Sequence, residues 1–229
     1  NHAEFCIQAL RKGIAVFSDI PSVASLDEAA RLWEAEQESS AMLMTGANPN
    51  EWGFIESMVQ LYKNGYLGKV SYLEAEYIHD VRYLWETTPW RRKSVPIRYC
   101  THSLGPLLRI LEGNLRRVSC LSTGAWICGE EGQNDLMTAH FQADSNAVVR
   151  FTSSFINNAG CGPHAYRVFG TEGYFERTSE RGKQEARTYF KSNRFYGAGE
   201  VVELPVQHMG EEYKSNAKAI AGHGGADYA

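Results

Sequence analysis

The sequence changes its repeating pattern near Gly68, and that change constrains the fold more than any other feature. Up to residue 65, helix-like stretches alternate with short apolar runs. Residues Ala3 to Leu10 read as a helix stopped by Lys12-Gly13, and Ile14-Ala15-Val16-Phe17 follows as a strand. Ser25-Leu26-Asp27-Glu28 has the form of a capping box ahead of an amphipathic helix to about Glu38. Met42-Leu43-Met44 is a second apolar strand, and Asn48-Pro49 opens another helix, with Asn48 expected at its cap. Short, uniformly apolar strands separated by helices predict a parallel sheet buried on both faces, the doubly wound pattern. After Gly68 the chain runs mainly in strands: Lys69–His79, Val118–Cys128, Asp135–Gln142, Ala147–Ile156 and Tyr166–Phe169, with a helix over Thr101–Leu111. Asp144-Ser145-Asn146 marks a hairpin turn, and Gly170-Thr171-Glu172-Gly173 a second turn with no chemistry assigned. Strands in succession predict an α+β unit with a large, mostly antiparallel open sheet. The stretch from Ser179 to Ser215 lacks a clear period and reads as loops. Two domains follow, 1–65 and 66–229.

Composition excludes several function classes. No stretch approaches the ~18 consecutive apolar residues of a membrane helix. A net charge of −4 provides no electrostatic footprint for nucleic acid. Five cysteines, with no C-x-x-C pair and no histidine at zinc-finger spacing, predict neither a disulfide framework nor a metal site. A reduced cytoplasmic setting is the default expectation, although an export signal upstream of Asn1 would be invisible. Both ends read as cuts through a larger protein.

Residues able to do chemistry cluster where strands and loops end. In Tyr77-Ile78-His79-Asp80, Tyr77 and His79 share one face of a strand because side chains alternate with period two. In Tyr99-Cys100-Thr101-His102, the imidazole stands at the start of a helix, where it can take or give a proton near neutral pH. Each of these residues can equally be a half-buried packing residue. Asp19-Ile20-Pro21 follows the first strand, at the edge where open α/β sheets bind ligands. A simple strand stop accounts for it as well, and capping alone would explain Asn48. Gly222-His223-Gly224-Gly225 suits either a ligand-lining backbone or a flexible connection.

Several of these segments together resemble one known family. Asn1-His2, Ala9-Leu10, Gly13-Ile14-Ala15-Val16 and Asp19-Ile20-Pro21 are similar to the end of the Gfo/Idh/MocA nucleotide-binding domain, written N-H-x-x-x-x-x-x-A-L-x-x-G-K-x-V-x-x-E-K-P. The likeness continues through Leu67-Gly68-Lys69-Val70, Thr101-His102, Gly170-Thr171-Glu172-Gly173 and Gly222-His223-Gly224-Gly225. Two departures stand out: Ile20 replaces the lysine of E-K-P, and the aspartate expected ahead of the second-domain helix is absent while His102 remains. The branch holding the NAD-dependent α-N-acetylgalactosaminidases also lacks that lysine. It carries segments similar to Tyr77-Ile78-His79-Asp80, Trp90-Arg91 and Tyr99 to Pro106.

The resemblance implies a truncated Rossmann-like domain followed by the α/β substrate domain. It implies NAD or NADP as cofactor, with NAD favoured, along Asp19, Ile20, Pro21 and Asn48. It further implies a small carbohydrate substrate facing Arg91, Tyr77 and His79, with His102 or Tyr99 transferring the proton. The expected reaction is hydride transfer from a sugar carbon. The alternatives are an NAD-dependent glycosidase with no net redox change and a non-catalytic sugar or dinucleotide sensor. A homo-oligomer is expected, because the second-domain sheet often pairs subunits in this family.

Overall fold

A computed structural model of the chain describes residues 2–129, 133–156, 163–194 and 199–205. These fall into two compact units divided between Asn48 and Pro49.

The first unit holds helix α1 (His2–Leu10), strand β1 (Val16–Ser18), helix α2 (Leu26–Glu38) and strand β2 (Leu43–Thr45). β1 and β2 pair in parallel, with Val16 opposite Leu43 and Ser18 opposite Thr45. The capping box forms much as the sequence predicts. The Glu28 amide donates to Ser25 Oγ at 3.1 Å, while the Glu28 carboxylate accepts from the Ala24 amide at 2.6 Å, one residue ahead of the cap. Cys6, Ile7 and Leu10 of α1 and Leu32 and Ala35 of α2 make a small core, on which Val16 and Leu43 pack. The expectation of strands buried on both faces needs correction. Phe17 and Met44, the alternate residues, are 64% and 58% exposed, because among the described residues only one face of this pair carries helices.

A 3-10 turn (Asn48–Glu51) carries the chain from the first unit into the second, whose first helix is α3 (Gly53–Lys63). It continues with β3 (Val70–Ile78), α4 (Thr101–Leu108), β4 (Leu115–Ser122), β5 (Leu136–Ala143), β6 (Val148–Ser154), β7 (His164–Gly170), β8 (Gly173–Arg177), β9 (Thr188–Ser192) and β10 (Val202–Leu204). The strands form one sheet in the order β10-β9-β8-β7-β3-β6-β5-β4. Only the β3–β6 pair is parallel. The predicted strand over Val118–Cys128 stops at Ser122, the helix from Thr101 stops at Leu108, and the stretch read as loops contributes β9 and β10. The segment 222–225 lies outside the described residues.

Alternation along the strands sorts the two faces of this sheet. Leu73, Ala75 and Tyr77 of β3, Val149 and Phe151 of β6, Tyr166 and Val168 of β7, and Phe175 of β8 are buried in one core with Phe54, Ile55, Met58 and Val59 of α3 and Leu104 and Leu107 of α4. Compactness therefore divides the chain ahead of α3, whose apolar face belongs to the large sheet. The other face carries charge: Arg150 pairs with Glu74 and Glu76, and Arg167 with Glu74 and Glu176.

The glycine turn between β7 and β8 has a packing reason. A Cβ on Gly170 would overlap the Leu67 carbonyl oxygen, and one on Gly173 would overlap the carbonyl oxygens of Lys191 and Tyr66. The α3–β3 connection runs across this turn too closely for any side chain. Gly173→Ala should therefore cost about 3 kcal/mol, read as a lowered urea midpoint with an unchanged slope.

Candidate active site

The residues that combine chemistry with burial meet at one end of the large sheet. β3 runs out at Tyr77, and β7 begins beside it, with Tyr77 and His164 as direct partners across the strands. Helix α4 opens at the same place and brings His102 into its first turn.

His102 is fixed by a chain of local causes. Pro106 lies inside α4 and has no amide hydrogen, so the carbonyl four residues earlier, that of His102, loses its helical partner. A buried carbonyl requires another donor. Tyr166 supplies it: its hydroxyl donates to the His102 carbonyl at 2.7 Å from the middle of the sheet. The Tyr166 phenol is fully enclosed, and that burial holds its pKa far above the ordinary range, so it remains a donor. The His102 ring is itself only 3% exposed, and its Nε2 lies 3.1 Å from the Tyr99 hydroxyl.

A second tyrosine–histidine pair adjoins the first. The Tyr77 hydroxyl lies 2.9 Å from His79 Nδ1, which is the shared strand face expected from the sequence. The Tyr77 and Tyr99 rings are 4.9 Å apart, and Tyr77 and His102 6.4 Å. Burial raises the Tyr77 pKa most, the neighbouring Tyr99 adds to the rise, and the Arg91 cation opposes it. Tyr77 is thus a neutral phenol near neutral pH, and Arg91 is close enough to affect it. The Arg91 guanidinium lies 4.6 Å over the Trp90 ring, and its Nε is buried without an acceptor among the described residues.

Sequence reading missed His164, Tyr166 and Trp52 as parts of this site. His164 packs edge-on to Trp52 at 4.7 Å and to Tyr77 at 5.0 Å, and lies 6.1 Å from His102. Their signal exists only once the register is known, because β7 and α3 reach the site from distant parts of the sequence.

Asp19, Ile20 and Pro21 follow β1, and Asn48 follows β2, all within the first unit. The Asp19 carboxylate accepts from the Ile20 amide at 2.8 Å, and its carbonyl lies 3.1 Å from His2 Nδ1. The Ile20–Pro21 peptide is cis, and Ile20 is buried. Asn48 does not cap α3: the residue before that helix is Trp52, and no side chain caps it there. Capping therefore does not account for Asn48, which is only 5% exposed. Among the described residues no group of three His, Cys, Asp or Glu side chains could hold a metal ion, and no helix is long and apolar enough to cross a membrane.

Comparison with known proteins places the chain. The model of the GFO/IDH/MocA C-terminal domain matches residues 55–176, more than half of it. The chain belongs to the GFO/IDH/MocA family. Among curated members, glycosyl hydrolase family 109 protein 1 of Bacteroides thetaiotaomicron is 22% identical across the whole chain, which spans 56% of that protein. A glycosyl hydrolase family 109 protein of Shewanella pealeana is 27% identical over 49% of the chain and 27% of its own length. The chain thus spans about half the length of the full-length relatives it matches. In fold it resembles an inositol dehydrogenase homolog of Azotobacter vinelandii solved with NADH and myo-inositol (TM-score 0.71, 21% identity, 92% of this chain and 54% of that one). It also resembles an Agrobacterium radiobacter oxidoreductase solved with NAD+, L-tartaric acid and magnesium (TM-score 0.75, 13% identity, 99% and 63%). The α+β unit with its large sheet is therefore the GFO/IDH/MocA C-terminal architecture.

For this family member the placement of His102 rests on one hydroxyl. Tyr166→Phe should strand the His102 carbonyl and cost about 1–3 kcal/mol in chemical unfolding, with little change in far-ultraviolet dichroism.

Proposed function

We propose that the full-length protein performs NAD-dependent redox chemistry on a carbohydrate, with His102 and Tyr99 moving the proton. The observation that carries this reading is the Tyr99–His102 contact at 3.1 Å, between a half-buried phenol and a buried imidazole at the end of the sheet. A proton leaving a sugar hydroxyl can reach the imidazole directly or through the Tyr99 oxygen. Tyr77, held neutral, donates a hydrogen bond, and Arg91 with its orphaned Nε offers a cation to a ring oxygen or hydroxyl. Aromatic walls from Trp52, Tyr77 and Phe155 suit the apolar face of a sugar ring.

Residues 1–65 are read as the closing part of a dinucleotide-binding domain, and residues 66–229 as the substrate domain. The carboxyl edge of β1 and β2 suits a dinucleotide, because ligands of doubly wound sheets lie beyond that edge. Asp19 shapes the loop there by binding its own neighbouring amide, buried Ile20 supplies an apolar wall, and Asn48 is a buried polar residue just past β2. A nicotinamide held along Asp19, Ile20, Pro21 and Asn48 would supply the acceptor for a hydride leaving the sugar carbon. NAD is favoured over NADP.

A glycosidase version has one specific support. Ile20 stands where the resembling dehydrogenases have lysine, and a relative matching the whole chain carries a glycosyl hydrolase name. In that version oxidation acidifies the adjacent C–H, the aglycone is eliminated, water adds and the hydride returns, with no carboxylate pair needed. Self-association through the charged face of the sheet, in a reducing cytoplasmic setting, completes the proposal.

The test is turnover of free sugars and glycosides by the full-length protein with NAD, following NADH absorbance and released aglycone separately. NADH accumulation identifies a dehydrogenase; aglycone release without it identifies the glycosidase. His102→Ala should lower kcat/KM by about 10²- to 10⁴-fold. Undiminished turnover in that variant removes the assignment, and sugar binding without turnover in the wild type makes the protein a sensor.

A further inference from the structure

We propose that Arg177 receives a negatively charged group of the substrate, so that this site takes an anionic saccharide: a sugar acid, or a sugar phosphate or sulfate. The inference rests on the carbohydrate reading above and narrows its substrate class.

Arg177 occupies a position that the strand pattern reserves for an apolar side chain. In Gly173-Tyr174-Phe175-Glu176-Arg177, Phe175 and Arg177 share the face turned to the helices, and Phe175 is fully buried. Arg177 is itself only 8% exposed. Its guanidinium carbon lies 4.6 Å over the Phe54 ring, and one terminal nitrogen donates to Thr188 Oγ1 at 3.0 Å. Among the described residues no carboxylate comes within ion-pair distance of it. Glu180 and Glu185, in the segment after β8, favour its charge only from farther away, and burial works against that charge. The contrast with the opposite face is sharp: Arg150 and Arg167 are more exposed there, and both are paired with glutamates.

Thr188 Oγ1 takes one donor of this largely buried guanidinium, and none of its other nitrogens is fully enclosed, so a group arriving from solvent can still reach them. An apolar residue of similar length would fill the space between Phe54 and Thr188 with no charge to desolvate. The charge therefore has a use beyond packing.

Position says what that use is. Arg177 is the direct cross-strand partner of Tyr166, whose hydroxyl holds the His102 carbonyl. Phe54, beneath the guanidinium, also packs against Tyr166 and Trp52, and Trp52 against His164. Two strand spacings, roughly 10 Å, separate β8 from β3, and an offset of two residues along the strands, roughly 7 Å, separates the level of Arg177 and Tyr166 from that of Tyr77 and His164. That span fits a saccharide whose reacting ring lies at Tyr99 and His102 and whose anionic group lies on the same ring or the next. Arginine's planar fork suits a carboxylate, phosphate or sulfate through two parallel hydrogen bonds.

The test uses the full-length protein and calorimetric titration with glucuronic and galacturonic acids, glucose and galactose, and the phosphates and sulfates of the same sugars. The wild type should bind at least one charged class about 10- to 100-fold more tightly than its neutral counterpart. Arg177→Met should erase that ratio, and Arg177→Lys should retain part of it. If the methionine variant fails to fold, the wild-type ratio and the lysine variant decide. Neutral sugars bound as tightly as charged ones, or a ratio unchanged in the folded variants, overturns the role of Arg177 and leaves the carbohydrate reading standing. Absence of binding by every sugar overturns both.

Discussion

The hydrogen bond from the Tyr166 hydroxyl to the His102 carbonyl is the contact on which the candidate site depends. It exists because Pro106 cannot supply the amide that an unbroken helix would. The helix therefore borrows a donor from the sheet, and the loan fixes where the first turn of α4 sits. His102 is carried in that turn, so its imidazole is placed by a defect in its own helix. A burial cost on one element thus becomes positional accuracy at another.

Around that contact the sheet divides its labour by face. The face under α3 and α4 is apolar and aromatic until its end, where phenols and imidazoles replace aliphatic side chains. Two phenols there meet imidazoles, Tyr77 meeting His79 and Tyr99 meeting His102. Burial strengthens such contacts and keeps the Tyr77 and Tyr166 phenols protonated. The opposite face keeps its glutamates and arginines in pairs. An arginine on the apolar face, without a carboxylate beside it, is for that reason the most informative residue outside the predicted set.

Much of this was legible in the chain. Period-two alternation placed Tyr77 and His79 together, and Ser25 with Glu28 announced the start of α2. The parallel pairing of β1 and β2 followed from short apolar strands flanked by helices. Other readings failed for physical reasons. The apolar run of Val16-Phe17 implied burial on both faces, but sequence pattern records only what a strand tolerates, not what is present to cover it. Asn48 followed by Pro49 had the form of a helix cap. The chain instead makes a 3-10 turn first and starts α3 after Trp52, because the apolar face of that helix is set by its packing on the large sheet. His164, Tyr166 and Arg177 gave no signal at all.

The sequence alone determined the order and kind of the elements as far as β7, the change from a doubly wound to a strand-rich pattern, and the family, since these rest on local periodicity and on motifs within a few residues of each other; β9 and β10, in a stretch without a clear period, it did not. The tertiary structure decided which strands are neighbours. Only the order β8-β7-β3-β6 sets Arg177 beside Tyr166 and His164 beside Tyr77, residues separated by 11 and 87 positions in the chain. Strand pairing across such distances is fixed by the shared burial of a whole core, and no local segment carries that information.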